Sequence, residues 1–237
     1  MGGNFRCLNT LLIASLFLVA CSSSTAPGTG TGPDLGPMVA YYPLDGNTND
    51  ASGNGHDAQN FGALPAPDRY GVAYHADAFN GEGAYQNTNT TFDFPERTVA
   101  FWFNMAAYTG FYQRVITQNC STLQYGSFGL GIWPDSLLDA RAGGNGSFSP
   151  DSMKVQTGKW YHIALVRRGG LEVYYVDGVA VDSSAATNGG SYSNNCYTMI
   201  GSTRIPDRFF DGLIDDVRVY DRALSASEVE SLYTAGG

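Results

Sequence analysis

From residue 38 to residue 220, apolar and polar side chains alternate in short runs, and Gly, Asn, Asp and Pro punctuate them. A period of two belongs to half-buried β-strands, and runs this short between turn residues suit strands rather than helices. The expected strands are 38–44, 71–79, 83–88, 97–105, 112–118, 127–133, 159–167, 171–176, 179–183, 196–201 and 212–220. Between "LEVYYV" and "VAV" the pair Asp177-Gly178 predicts a two-residue hairpin turn, since both residue types tolerate the positive φ it needs. One helix is expected: in "LSASEVESLY", Ser225 as N-cap and Glu228 three positions later form a capping box ahead of Val229 and Leu232. It reads as a closing turn without a chemical role. Many short strands with one short C-terminal helix predict an all-β, two-sheet antiparallel sandwich or jelly roll.

The first residues read as an export signal. "MGGNFRC" carries one Arg, and the apolar run "LNTLLIASLFLVA" is too short to span a bilayer as a mature helix. It ends in "LVAC", Leu18 to Cys21, which resembles the bacterial lipobox whose Cys becomes the lipid-modified first residue of the mature chain. The alternative is an ordinary signal peptide with a chance Cys. Residues 22–37, "SSSTAPGTGTGPDLGP", have almost nothing to bury and read as a flexible tether. The expected organisation is a signal peptide at 1–20, lipidated Cys21 with its tether to 37, and one folded domain over 38–237. Such a chain is exported and anchored in the bacterial cell envelope, at the outer membrane, touching the membrane only through its lipid.

Cysteine usage agrees with export. Cys7 leaves with the signal and Cys21 takes lipid, so Cys120 and Cys196 remain. In an oxidising compartment they are expected to form a disulfide, the alternative being two free thiols. His56, His75 and His162 are scattered and match no metal motif. With 13 Lys+Arg against 22 Asp+Glu, the net charge of −9 argues against a nucleic-acid partner. It favours a neutral or cationic partner, or one reached through a bound cation.

Four segments in order, "VAYYPLDGNTNDASGNGHDA" (39–58), "TVAFWFN" (98–104), "KWYHIALVRRGGLEVYYVDGVAV" (159–181) and "FFDGLIDDVRVYDRALSASEVESLY" (209–233), carry a family resemblance. Over nearly the whole expected domain the chain resembles the laminin-G-like jelly roll of the concanavalin A-like lectin/glucanase superfamily, as found on exported bacterial proteins. The resemblance implies two antiparallel sheets, one of them concave, often a structural calcium ion, and sometimes a glycan-binding surface. It does not name a ligand, because this fold hosts many functions.

Alternation in "DGLIDDVRVY" (211–220) puts Leu213, Asp215, Val217 and Val219 on one face, the more apolar one, so Asp215 is expected to point toward the core. An uncompensated carboxylate there would cost several kcal/mol or lose its charge. The loop "LDGNTNDASGNGHD" offers Asp45, Asn47, Asn49, Asp50, Asn54 and Asp57, and Ca²⁺ prefers six to eight oxygens of this kind. The expected ligands are Asp45, Asp50 and Asp215, with Asp216 in reserve. In the alternative, Asx side chains of the loop bond their own backbone, and Asp215 takes loop amides, Arg218 or Arg222.

For hydrolysis, the paired carboxylates of a glucanase strand are missing: Glu228 and Glu230 sit in the capped helix, and the other Glu are isolated. His162, in "WYHIALVR", has Trp160 and Ala164 on its own face and reads as a packed, hydrogen-bonded residue more readily than as part of a Ser-His-Asp set. Sugar recognition combines aromatic faces with hydrogen-bonding side chains. The loop candidates are Tyr108, Phe111, Tyr112, Tyr125, Trp133, Tyr192 and Tyr197, with Arg114, Asn119, Asn145, Arg204 and Arg208 as polar partners. Trp133, Tyr192, Tyr112 and Arg204 head that set, although aromatics at such positions also serve as ordinary core or sheet-face residues. The function expected is non-catalytic recognition of carbohydrate by an envelope-anchored module. Protein–protein adhesion or scaffolding at the cell surface is the alternative, and glycan hydrolysis a distant third.

Overall fold

The computed structural model describes residues 35–119, 125–142, 147–148, 153–185, 196–203 and 208–235. In chain order the strands are β1 (Ala40–Tyr42), β2 (Gln59–Phe61), β3 (Leu64–Ala66), β4 (Ala76–Asn80), β5 (Tyr85–Asn87), β6 (Arg97–Met105) and β7 (Gln113–Asn119). Then come β8 (Tyr125–Ile132), β9 (Leu138–Ala142), β10 (Ser147–Phe148), β11 (Trp160–Arg168) and β12 (Leu171–Val176). The last are β13 (Val179–Ala185), β14 (Tyr197–Ile200), β15 (Asp211–Tyr220) and the helix α1 (Ala226–Thr234). They make two antiparallel sheets. One runs β13-β12-β11-β6-β15-β4-β3, with β1 also paired to β15; the other runs β10-β9-β8-β7-β14-β5-β2. This is the jelly-roll sandwich that the pattern of short runs predicts.

Strand faces follow from the alternation. Val99, Phe101 and Phe103 of β6 and Ile163 and Leu165 of β11 point between the sheets, where they share a core with Ile116, Leu130, Ile132 and Ala140. The intervening residues Ala100, Ala164 and Val166 point the other way and, with Tyr175 and Tyr220, pack a smaller core that includes Val229 and Leu232 of α1. Each fully buried Leu or Val contributes about 1.5–3 kcal/mol, so two positions suffice to dock a short helix. Its N-terminus closes as expected: Glu228 N donates to Ser225 Oγ at 3.3 Å, and Ser225 N donates to Glu228 Oε2 at 2.7 Å. Asp177 and Gly178 take φ of 48° and 80°, the paired positive angles of a tight hairpin turn.

Two expectations need correcting. The expected run 71–79 begins late, at Ala76, because Asp68 captures the preceding chain in a turn: its Oδ1 accepts from Tyr70 N and Val72 N, each at 2.8 Å. The second correction lies in β15. Asp215 stands opposite Trp102 and Arg218 opposite Ala100, so the single residue Phe101 of β6 faces two of β15, Asp216 and Val217. The surplus residue is a β-bulge, with Asp216 at φ +56°, a region Asp enters more readily than most residues. The bulge shifts the phase by one. Ile214, Val217 and Val219 therefore face the core, and Asp215 does not; it lies on the outward face beside Trp102, which in turn stands opposite His162.

Candidate functional site

On that outward face Asp215 meets an arginine that alternation does not reveal. Arg69 Nη1 lies 2.5 Å from Asp215 Oδ2, and Nη2 lies 3.0 Å from Asp216 Oδ2. Asp216 Oδ1 accepts from Tyr41 Oη at 2.7 Å and from Arg218 Nη2 at 2.9 Å. Burial, then the nearby Asp216, push the Asp215 pKa up, while Arg69 pulls against them. The Arg69 guanidinium covers the Trp102 ring at 4.6 Å, and Trp102 packs on His162 and Tyr233 with centroids 5.1 and 5.7 Å apart. His162 is fully buried, and neither ring nitrogen has a hydrogen-bond partner among the described residues. Burial, helped by Arg218 and Arg69, pulls its pKa down to about 3, so it is a neutral packing residue.

The expected calcium ligands are engaged by protein donors. Asp50 Oδ1 accepts from Tyr41 N and Ser52 N, both at 2.9 Å, and Oδ2 accepts from His56 N at 3.1 Å. Burial works to raise the Asp50 pKa, but these bonds together hold it below its usual value. Asp57 Oδ1 accepts from Asp50 N at 2.8 Å, and Asn47 Oδ1 from Asn49 N at 2.9 Å. Asp45 lies 3.2 Å from His75 Nδ1; burial raises its pKa, His75 opposes this, and the nearby Asp216 and Asp68 add to it. Among the described residues no three His, Cys, Asp or Glu side chains gather into a metal-holding group. Amides and guanidinium groups occupy the places of a cation, so Asp45, Asp50, Asp215 and Asp216 do not fit a calcium cage. The loop instead follows the self-bonded Asx arrangement.

A different chemistry stands on the outward face of the seven-stranded sheet. Across β7, β8 and β9 the partners Ile116, Leu130 and Ala140 turn inward. The rows Arg114–Gly131–Asp139 and Thr117–Gly129–Arg141 therefore turn outward. The two glycines make a floor without side chains. A Cβ on Gly131 would sit 2.6 Å from Tyr112 Cζ, and one on Gly129 3.4 Å from Arg114 Nη1. Close approach, not turn geometry, explains glycine here. The hydroxyl end of Tyr112 thus lies against β8 at Gly131, its hydroxyl donating to Asp139 Oδ2.

Around Tyr112 gather an aromatic neighbour and three cations. Trp133, at the β8–β9 turn and 38% exposed, packs against it with centroids 4.4 Å apart. Guanidinium carbons of Arg114 and Arg208 lie 4.5 and 5.4 Å from the Tyr112 centroid, within cation–π range. Arg141 Nε donates to Asp139 Oδ2 at 3.2 Å. Arg114 is buried; its Nη1 lies 3.8 Å from Asp139 Oδ2 and has no hydrogen-bond partner among the described residues. Burial lowers its pKa to about 10, with Arg141 and Arg208 adding and Tyr112 and Asp139 opposing, so it stays charged at neutral pH.

Of the expected sugar-contacting residues, Trp133, Tyr112, Arg114 and Arg208 come together here. Tyr108 and Phe111 are exposed in the approach to β7, the former donating from its hydroxyl to Val155 O, and Tyr197 lies partly buried on β14. Tyr192, Arg204 and Asn145 lie outside the described residues, as do Cys21 and Cys120, while Asn119 and Tyr125 are described in backbone only. Asp139 and Arg141 were missed because β9 was not expected, although "LDARA" alternates in just the right phase. A second aromatic group, Phe61 stacked on Tyr85 at 4.6 Å with Phe209 at 6.5 Å from Tyr85, was missed because β2 is exposed at every residue and shows no alternation.

Comparison with known proteins agrees with this architecture. A family model for the concanavalin A-like lectin/glucanases superfamily matches residues 79–230. No curated protein matches the chain. Among solved structures, domain 4 of AbnA, a GH43 extracellular arabinanase from Geobacillus stearothermophilus, in complex with arabinotriose, aligns with a TM-score of 0.66 at 20% identity, over 83% of this chain and 98% of that one. A mutant Trypanosoma rangeli sialidase displaying trans-sialidase activity aligns with a TM-score of 0.68 at 16% identity, over 86% of this chain but 33% of that one. The binding domain of Paraclostridial Mosquitocidal Protein 1 aligns with a TM-score of 0.66 at 17% identity, over 84% and 52%. The chain thus spans about a third of the sialidase, and at these identities the likenesses carry the fold alone. From the family match and the two-sheet jelly roll together, the chain belongs to the concanavalin A-like lectin/glucanase superfamily.

Proposed function

We propose that this chain is a non-catalytic, lipid-anchored recognition module of the cell envelope that binds carbohydrate on the outward face of its seven-stranded sheet. The observation that carries the reading is the Tyr112–Trp133 pair, a half-open aromatic platform bordered by arginines. Aromatic faces meet the C–H patches of a sugar, and fixed polar groups beside them set its orientation. The arabinotriose complex of the arabinanase domain is a property of that protein, and it lends the reading support by analogy. The non-catalytic half is supported by the state of Asp139, tied to Tyr112 and Arg141, whereas glycoside hydrolysis generally uses two carboxylates flanking the bond.

The test is affinity electrophoresis of the full chain, in mild detergent, through gels containing neutral or acidic polysaccharides. Retardation that disappears in Trp133→Ala is the expected result. Migration unchanged by every polysaccharide would overturn the carbohydrate reading, and release of sugar from a retained polysaccharide would overturn the non-catalytic one. Anchoring is tested separately: Cys21→Ser should move the protein from membrane to soluble fractions, since the acyl chains supply the membrane affinity. A Cys21→Ser protein that stays with the membrane would remove the lipid anchor from the proposal.

Adhesion to another protein has its own observation. Leu64, Tyr70, Val72 and Tyr74, on edge strand β3 and the turn after it, are 67, 60, 47 and 66% exposed. An apolar group at a sheet edge is a feature of interaction surfaces. If Leu64→Lys abolishes cell–cell adherence while Trp133→Ala leaves it intact, the adhesive reading gains over the carbohydrate one.

A further inference from the structure

The outward face of the seven-stranded sheet carries a second aromatic group beyond the Tyr112–Trp133 pair. Ile200 stands opposite Ile116 of β7 and Gln86 of β5, and both isoleucines turn into the core. Tyr85 and Asn87, the chain neighbours of Gln86, therefore turn outward, and so do their partners Phe61 and Gln59 on β2. The Phe61 and Tyr85 rings stack with centroids 4.6 Å apart, and Phe209 lies 6.5 Å from Tyr85. Phe209 follows Arg208, whose guanidinium carbon is 5.4 Å from the Tyr112 centroid. Arg114 N donates to Arg208 O at 3.2 Å, which fixes this segment beside β7. One short segment thus reaches both aromatic groups. From β8, against which Tyr112 lies, to β2 there are four strand steps, so the aromatic track is about 19 Å long at the usual strand spacing.

Cross-strand packing makes little use of Phe61, which is 37% exposed on an edge strand exposed at every residue. Beside the rings stand two amides. Gln59 is exposed, and the Asn87 carboxamide is held in place by Asn89, donating to its Oδ1 at 3.0 Å and accepting from its N at 2.9 Å. We propose that Phe61, Tyr85 and Phe209 form a second sugar subsite, so that the face binds the interior of an extended glycan chain laid across the strands from Trp133 to Phe61. This rests on the carbohydrate reading above and deepens it from one platform to a track. The occupant follows from the groups present. An apolar protein segment would leave the amides of Gln59 and Asn87 unused, whereas a sugar ring offers C–H patches to Phe61 and hydroxyls to the amides. A length of about 19 Å exceeds one sugar ring and calls for a chain of several. β2 is the last strand of its sheet, so a chain leaving the track there can continue into solvent. The two subsites act together, because a glycan held at one is already concentrated at the other.

The experiment is competition in affinity electrophoresis of the full chain in detergent. The gel holds arabinan, xylan, galactan, β-glucan or polygalacturonate, and the competitors are oligosaccharides of the same polymer, from dimer to octamer. For a polymer that retards the protein, competition is expected to strengthen with each added sugar until the chain covers about 19 Å, and then to level off. Phe61→Ala should weaken the octamer by about threefold to tenfold, the scale of one aromatic contact, with dimer affinity and melting temperature unchanged. Gln59→Ala, on the same exposed strand, serves as a second variant with the same direction, whereas Trp133→Ala should weaken every length. A dimer that competes as well as the octamer, or the parent's length dependence in both β2 variants, would overturn this inference while leaving the carbohydrate reading in place. Retardation by none of the polymers would overturn both.

Discussion

Arg69 closes on Asp215 across 146 positions of chain, its Nη1 2.5 Å from the Asp215 carboxylate. Their side chains are 8% and 4% exposed, so the pair is shielded from water and cannot be treated as a surface ion pair. Removing the cation alone leaves Asp215 and Asp216 facing one another, and breaking a buried pair this way costs about 3–5 kcal/mol. Arg69→Met is expected to lose that much in urea unfolding, and Arg69→Met with Asp215→Asn to recover part of it, because the two sites share one interaction. A loss below about 1 kcal/mol, the range of an exposed pair, would show that the cluster is hydrated in solution.

Asp77 should give the stability a measurable pH dependence. It is 2% exposed and accepts from Gln86 Nε2, and burial pushes its pKa from 3.8 up to about 6. The folded state therefore binds this proton more tightly than the unfolded state. Its contribution is full below about pH 4 and is lost as the pH rises through about 6, a change of roughly 3 kcal/mol at most. Asp77→Asn should gain on the parent over that window in urea titrations. A stability difference that stays constant from about pH 4 to about pH 7 would contradict the shift.

Cys120 and Cys196 are proposed to be bonded, because two cysteines left in an oxidising compartment are expected to pair. Cys196 is fully buried just before β14, and Cys120 lies outside the described residues. The cysteines are 76 positions apart, a closure worth about 4 kcal/mol on the chain-entropy account. Non-reducing peptide mapping should recover the linked pair from exported protein, and full alkylation of both thiols without reductant would refute it.

Calcium should not govern stability through the 45–57 loop. Asp50 already accepts three backbone N–H groups there, and a cation would have to compete with them. Melting temperatures with chelator and with added Ca²⁺ are expected to agree within about 1 °C, a difference of a few tenths of a kcal/mol at most. A fall of several degrees on chelation, reversed by Ca²⁺, would mean that a cation ties the loop to its surroundings.

Much of this fold was legible because its strands are short runs set between turn residues. β6 and β11, buried on both faces, stand out as near-continuous apolar runs, the Asp177-Gly178 turn needs two residues of particular type, and the Ser225–Glu228 cap is local. Alternation failed where one residue changed the phase: Asp215 looks inward in the sequence and lies outward because Asp216 forms a bulge. It could not reveal Arg69 as the partner either, since that contact depends on how distant segments pack. In the proposed carbohydrate-binding face, Tyr112, Trp133, Arg114 and Arg208 were foreseen as residue types near loops. Asp139 and Arg141 escaped because their strand is short and mixed, although the register makes them immediate neighbours of the glycine floor.

The pairing of β1 with β15 has a topological consequence. Val39 N donates to Val219 O at 2.8 Å, and Leu35 and Met38 pack on the same small core as Val229 and Leu232. Both ends of the folded region therefore meet at one seam. Far along the chain, β11 and β12 are joined by the exposed Gly169–Gly170 turn, whose φ values of 56° and 81° leave no side chain behind in the turn. A circular permutant, relinked across the seam by a short flexible bridge and opened between these two glycines, would retain every strand pair described above. In this sandwich the order in which the polypeptide visits its strands is separable from the architecture those strands build.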